Sequence, residues 1–271
     1  MAIRAVLVDI DGVLTVSWRP VPGAAEALGD LLARGLRIAL VTNTTSRTRG
    51  WIAARLAGCG FEVSADDILS APALARDHLA AHHPGRRCLL LNSGDIAEDL
   101  PGVDLVAGED SEHGADGTGS AADVVLLGGA GPEFSYGALN DAFRQVRRGA
   151  ALLTMNRNLF WATDDGLQLD TGAFLAGLEA ACGRPAVDLG KPAPAFFAAA
   201  LDRVGAAAAE TVMVGDDVRS DVIAAQAVGI RGVLVRTGKY LLETLAAADP
   251  PPDQVIDSFA DLPALLDRLP A

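Results

Sequence analysis

The chain has 271 residues, half of them hydrophobic, enough for a substantial core in about one large or two modest domains. Lys and Arg number 22 against 35 Asp and Glu, a formal net charge of −13 that repels polyanions, so nucleic acid and anionic lipid are disfavoured as partners. A small anionic substrate is not excluded, because one lysine or metal ion inverts the field inside a pocket. Cys59, Cys88 and Cys182 are odd in number and far apart, with no CxxC pair. A disulfide framework or zinc ribbon is therefore not supported, and a reducing compartment fits. No signal-peptide pattern opens the chain, and no run approaches the roughly 20 apolar residues of a membrane span. A cytoplasmic protein without membrane attachment is expected.

Ala5–Val8 is a short apolar run of strand type, followed by a helical pattern from Ala24 to Ala33 that stops at Gly35. Ile38–Val41 reads as the next strand, Ser46 can cap a helix that fades at Gly58 and Gly60, and Ile68–Leu69 is a third short run. From about Asp77 to Gly183 the pattern predicts strands over Arg87–Leu91, Ala122–Leu127 and Ala151–Thr154 and helices over Ser135–Val146 and Gly172–Cys182. The polar segment Gly108–Ser120 reads as a mobile surface loop. Thr211–Val214 and Gly232–Val235 are again β-rich and flank a helix from Val218 to Val228 that Gly229 ends. Continuous apolar runs alternating with helices point to an α/β fold whose parallel strands are buried on both faces.

Four polar motifs follow strands or open helices. Asp9-Ile10-Asp11-Gly12-Val13-Leu14 places two carboxylates just beyond the first strand, where ligands of parallel α/β sheets bind. Such a pair repels unless a cation or phosphate lies there, and Gly12 permits a tight turn and a close backbone approach. Thr42 and Asn43 end the second strand with a hydroxyl and an amide suited to phosphoryl oxygens. Gly190-Lys191-Pro192 offers a compact cation, and Gly215-Asp216-Asp217-Val218-Arg219-Ser220-Asp221 supplies three acids. Singly, each reads as readily as a capped turn, a surface lysine or an N-capped helix. In this order at strand ends, they point to phosphoryl transfer: a carboxylate attacks phosphorus, a second one moves a proton, and cations counter the charge.

With these motifs, the chain resembles the haloacid dehalogenase (HAD) superfamily along its whole length. The resemblance implies a Rossmann-like parallel sheet core with an inserted α/β C2-type cap. It makes Asp9 the nucleophile, Asp11 the acid/base, Thr42 the phosphate-holding hydroxyl and Lys191 the phosphate-neutralising cation. It assigns Mg²⁺ to Asp9, the backbone carbonyl of Asp11, and Asp216, with Asp217 and Asp221 supporting the metal's water shell or orienting Lys191. Asp11 to Thr42 spans 31 positions and Asn43 to Lys191 spans 148, so the insertion falls between the second and third motifs. Core segments at 1–76 and 184–271 around a cap at 77–183 are expected. Phe134-Ser135-Tyr136, Ala142-Phe143 and Thr237-Gly238-Lys239-Tyr240 are similar to the subfamily IIA group of phospholysine phosphohistidine inorganic pyrophosphate phosphatases. Small phosphorylated molecules, pyrophosphate and P–N compounds are then the expected substrates, hydrolysed through an aspartyl phosphate. A phosphomutase, or a catalytically weak protein that binds a ligand through the same pocket, are the alternatives. A homodimer through the cap stays open.

Other patterns carry less. Gly129-Ala130-Gly131 hints at a dinucleotide loop, but Phe134 occupies the third glycine's place. His78 and His82 have metal-pair spacing with no convincing third ligand, so a solvated helix end is favoured. Asn156, Arg157 and Trp161 either face the substrate from the cap or belong to a surface loop.

Overall fold

A computed structural model describes residues 2–106, 121–163 and 166–269, with the side chains of 161–163 excepted. Two compact units emerge. The first comprises Met1–Thr42, Arg49–Leu69 and Lys191–Ala271, and the second Asn43–Thr48 and Ser70–Gly190.

The first unit holds a six-stranded sheet in the order Gln254–Ile256, Arg231–Val235, Thr211–Gly215, Ala5–Asp9, Arg37–Thr42, Ile68–Ser70. The pairings from Gln254–Ile256 across to Arg37–Thr42 are all parallel. Ala5–Asp9 and Thr211–Gly215 are buried at every position, as their unbroken apolar runs predict for strands covered on both faces. Helix Ala24–Ala33 turns Ala24, Ala27, Leu28 and Leu31 inward, a helical stripe that packs on Val6, Val8, Leu40, Val212 and Val214. Its end is marked by Gly35 at φ 76°, a conformation cheap only for glycine. The helix expected over 218–228 is instead a π-helical turn, Val218–Ile223, continued by a short α-helix, Ala224–Ala227. From the central strand Ala5–Asp9, the chain is paired to Arg37–Thr42 on one side and Thr211–Gly215 on the other. Such a switch point opens a crevice at the carboxyl ends of the strands.

The second unit has its own parallel sheet, ordered Val187–Asp188, Ala151–Thr154, Val124–Leu127, Arg87–Leu91, Asp104–Val106. Helices Tyr136–Arg147 and Thr171–Cys182 bury Ala142, Val146, Leu175 and Leu178 against Val125, Leu127 and Leu152. The longer segment of this unit runs over Ser70–Gly190, where 77–183 was expected from sequence, and Asn43–Thr48 joins it. Helix Ala71–His82 extends it at one end, because Ala71, Ala75 and Leu79 share an apolar cluster with Cys88, Val124, Leu126 and Leu153. Strand Val187–Asp188 extends it at the other by pairing with Ala151–Thr154. The hairpin Phe160–Thr163 with Gly166–Leu169 was not legible as periodicity, its strands being four residues each and the second fully exposed. The loop expected at Gly108–Ser120 lies outside the described residues. No helix among the described residues is long and apolar enough to cross a membrane.

Asp170 ties the second unit together at the start of helix Thr171–Cys182. Its buried carboxylate accepts from the Thr171 and Ala130 amides at 2.7 and 3.2 Å and from Asn156 Nδ2 at 2.5 Å. Asp170→Ala would leave three donors without this acceptor, so a loss of about 2–4 kcal/mol is expected. Denaturant unfolding followed by amide exchange in Val124–Leu127 and Ala151–Thr154 checks it.

Candidate active site

Strands Ala5–Asp9, Arg37–Thr42 and Thr211–Gly215 lie side by side and bring Asp9, Thr42 and Asp216 to one edge of the first unit's sheet. All three side chains are buried, Asp9 at 7% and Asp216 at 2% exposure, an unusual position for carboxylates unless they are paired. Lys191 answers two of the acids. Its buried ammonium lies 2.6 Å from Asp9 Oδ1 and 2.7 Å from Asp221 Oδ1. Burial alone would lower the lysine's proton affinity, but Asp221 and Asp9 more than offset it, so Lys191 is held above its usual value and stays charged.

Glycines make this crowding sterically possible. A Cβ at Gly12, where φ is +91°, would fall 1.8 Å from Asp216 Oδ2. A Cβ at Gly215 would fall 2.2 Å from the Cβ of Asp221. The close approach expected of Gly12 is thus an approach to the Asp216 carboxylate. The π-helical turn Val218–Ile223 carries Asp221 back over Gly215, and Asp217 caps that turn by accepting from the Arg219 and Ser220 amides at 2.9 and 3.0 Å. Burial opposes the Asp217 charge, but hydrogen bonds from Ser220, the Lys239 charge and the Arg219 amide together outweigh it and hold the carboxyl below its usual range. Its carboxylate therefore serves the turn.

The loop Thr237–Lys239 adds further contacts to the same site. The Lys239 amide donates to Asp216 Oδ2 at 2.7 Å, and the Thr237 hydroxyl donates to the Gly12 carbonyl. A Cβ at Gly238 would lie 2.1 Å from Asp216 Oδ2 and 2.5 Å from Gly12 Cα. The signal was available: this Thr-Gly pair follows strand Arg231–Val235, a neighbour in the same parallel sheet.

Among the described residues, Asp9, Asp216 and Asp221 form the one cluster suited to a metal, each offering an oxygen within 4.8 Å of the others. Asp216 Oδ1 is buried with no hydrogen-bond partner. A buried acceptor left open between carboxylates suits a hard divalent cation with oxygen ligands. Without one, burial and the charges of Asp9 and Asp221 push Asp216 up to about 8. Burial likewise raises Asp221 to about 6, with Asp9 adding to the shift and Lys191 restraining it. The side chain of Asp11 is exposed and outside this cluster, while its backbone bridges to Thr15.

Other expected site residues are placed differently. Asn156 is buried, donating to Asp170 Oδ2 and accepting from the Asn158 amide at 2.9 Å, so its carboxamide serves the second unit's interior. Arg157 pairs with Glu179 at 2.9 Å and Asp188 at 3.2 Å and donates to the Ala186 carbonyl. A guanidinium paired with two carboxylates braces this part of the second unit. Trp161 lies in the hairpin, and its side chain is outside the described residues. His78 and His82 stack with ring centroids 4.5 Å apart at a helix end and belong to no metal-suited group among the described residues.

One consequence concerns pH. A carboxyl raised from near 3.9 when unfolded to about 8 when folded costs stability as pH rises between those values, because the unfolded chain ionises first. Asp216→Asn keeps the acceptor for the Lys239 amide and removes the charge. In metal-free buffer it is expected to flatten the decline in stability from about pH 5 to pH 8 and to abolish divalent-metal binding. Urea unfolding across that range and calorimetric Mg²⁺ titration check both effects.

Comparison with known proteins identifies the family. The haloacid dehalogenase-like hydrolase family matches residues 6–106, and an HAD-hydrolase-like family matches residues 188–262. Haloacid dehalogenase-like hydrolase domain-containing protein 2 of Bos taurus is 36% identical over 258 residues, covering 95% of this chain and 93% of that protein. A phospholysine phosphohistidine inorganic pyrophosphate phosphatase of Xenopus laevis is 34% identical over 245 residues, covering 88% and 85%. The solved p-nitrophenyl phosphatase from Archaeoglobus fulgidus superposes with a TM-score of 0.86 at 27% identity, over 99% of this chain and 100% of that one. With its carboxylates and lysine gathered at the carboxyl edge of such a sheet and relatives matching nearly end to end, this chain belongs to the haloacid dehalogenase-like hydrolases.

Proposed function

We propose that the chain is a Mg²⁺-dependent phosphatase that hydrolyses small phosphorylated molecules through an aspartyl phosphate on Asp9. The observation that carries this reading is the buried Asp9–Lys191–Asp221 array beside the unpartnered oxygen of Asp216. It supports a nucleophilic carboxylate held by a charged lysine, next to a site for a hard cation.

Asp9 and Asp216 would hold the metal, together with the Asp11 carbonyl that the family resemblance adds. When bound, Mg²⁺ supplies positive charge against the phosphoryl oxygens and relieves the repulsion among the acids. The remaining steps fall to the chain's own residues. Asp9 attacks phosphorus, the bond to the leaving oxygen or nitrogen breaks, and Asp11 delivers the proton that the leaving atom needs. Asp11 then takes a proton from water as that water attacks the aspartyl phosphate, releasing inorganic phosphate and restoring Asp9. The exposure of Asp11 suits a group that exchanges protons with leaving group and solvent. Lys191 counters charge on the transferring group throughout, with Asp9 and Asp221 fixing its ammonium. Thr42 and Asn43 would hold phosphoryl oxygens at the end of their strand.

Substrate size follows from charge and kinship. A net charge of −13 opposes polyanions, and the names of relatives direct attention to nitrophenyl phosphate, pyrophosphate, phospholysine and phosphohistidine. The free thiols Cys59, Cys88 and Cys182 fit a reducing cytoplasm.

Asp9→Asn is expected to fold normally and lose turnover of nitrophenyl phosphate by about a thousandfold or more. Substantial residual activity in the folded variant would sink the nucleophile assignment. Asp11→Asn should cost little with nitrophenolate as leaving group and about 10²–10⁴-fold with alkyl phosphates, because only poor leaving groups need the proton. Equal losses across the series would restrict Asp11 to a structural role. A panel of phosphate esters, pyrophosphate and phosphoramidates, with and without Mg²⁺, ranks the substrates. Faster cleavage of a folded phosphoprotein than of any small phosphate would overturn the size argument.

A further inference from the structure

The segment Asn43–Thr48 follows Thr42 directly, yet it is built into the second unit. Thr45 anchors it. Thr45 is buried, its hydroxyl accepts from the Gly129 amide at 2.8 Å, and its carbonyl accepts from Asn92 Nδ2 at 2.9 Å. The Asn92 carboxamide closes the other side, its Oδ1 accepting from the same Gly129 amide at 2.9 Å and its Nδ2 also donating to the Gly94 carbonyl at 2.9 Å. Asn92 stands one residue past strand Arg87–Leu91, and Gly128 one past the neighbouring strand Val124–Leu127.

The glycines here admit nothing larger. A Cβ at Gly129 would fall 2.6 Å from Thr45 Oγ1, one at Gly128 1.9 Å from Asn92 Oδ1, and one at Gly94 2.5 Å from the Ser46 carbonyl oxygen. The Gly129-Ala130-Gly131 run that suggested a dinucleotide loop in the sequence thus has another explanation. Gly129, with Gly128 before it, forms a seat for the segment that begins at Asn43.

We infer that Asn92 and Thr45 are positioning residues for phosphoryl binding, setting the backbone that runs from Thr42 through Thr44. The inference rests on the reading of Thr42 and Asn43 as phosphoryl-holding groups. Asn92 has to be an amide, because an aspartate would turn a negative oxygen toward the carbonyls of Thr45 and Gly94. Thr45 has to carry a hydroxyl, because the isosteric valine cannot accept from Gly129.

The test compares Asn92→Asp, Thr45→Val and Thr45→Ser in the Mg²⁺-loaded protein, with Thr42→Val as reference. Asn92→Asp and Thr45→Val are expected to raise KM for nitrophenyl phosphate and the inhibition constant of inorganic phosphate by about tenfold. The loss should be the same for good and poor leaving groups, and Thr45→Ser should recover most of it. Folded variants with lowered Tm but unchanged KM and phosphate inhibition overturn the inference, since that is the mark of a merely structural role. If Asn92→Asp does not fold, the Val and Ser variants of Thr45 decide alone. If Thr42→Val itself leaves phosphate inhibition unchanged, the phosphoryl-holding reading fails and removes the premise. Weakened phosphate inhibition in Thr42→Val with none in the Asn92 and Thr45 variants keeps the reading and rejects the positioning.

Discussion

Three carboxyl groups and the Lys191 ammonium share a buried space at the carboxyl edge of the first unit's sheet, and the lysine reaches only two of the three. The Lys191 ammonium pairs with Asp9 and Asp221 at 2.6 and 2.7 Å, while Asp216 has only the Lys239 amide and the more distant Lys239 charge. Burial makes an unpaired charge costly and a broken pair costlier, so this cluster persists only because the surrounding fold forces its members together. The residual strain is concentrated at Asp216, whose Oδ1 has no partner and whose carboxyl is pushed up to about 8. Acids crowded against their electrostatic preference are a signature of sites that bind cations and perform chemistry.

The scaffold that imposes this arrangement is simple. The central strands Ala5–Asp9 and Thr211–Gly215 are buried at every position, and the connections from Ala5–Asp9 diverge to either side at the strand ends. Glycines at 12, 215 and 238 then let three backbone segments approach Asp216 and Asp221 more closely than any side chain allows. A π-helical turn supplies the last adjustment, since it lets Asp217 cap the turn and Asp221 lie back over Gly215. The second unit repeats the same economy with different residues. There Gly94, Gly128 and Gly129 admit a loop that Asn92 and Thr45 hold by hydrogen bonds.

Much of the fold was legible because its signals are local. Ala5–Asp9 and Arg87–Leu91 are continuous apolar runs, and helices Ala24–Ala33 and Thr171–Cys182 begin or end at residues with one-sided backbone preferences. The hairpin strands Phe160–Thr163 and Gly166–Leu169 escaped notice because their pairing lies in hydrogen bonds between strands and not in a buried stripe. The partners of Arg157 were not legible, because a sequence does not reveal that Glu179 and Asp188, 22 and 31 positions away, both reach its guanidinium. The partner of Asn156 is hidden in the same way, Asp170 lying 14 positions on.

By itself, the sequence determined the alternation of strand and helix, the polar motifs at strand ends, and the family whose pattern they share, because these depend on residue type and short spacing. The tertiary structure alone decided which acids meet. Asp9 and Asp221 are 212 positions apart in the chain, yet both pair with Lys191. Asp217 and Asp221 are near neighbours in sequence with different tasks, one capping a turn and the other binding the lysine. The same holds for Gly128 and Gly129, whose purpose is visible only once Asn92 and Thr45 are beside them. Long-range side-chain contacts depend on strand order within a sheet and on where the chain crosses over, and no single segment carries these.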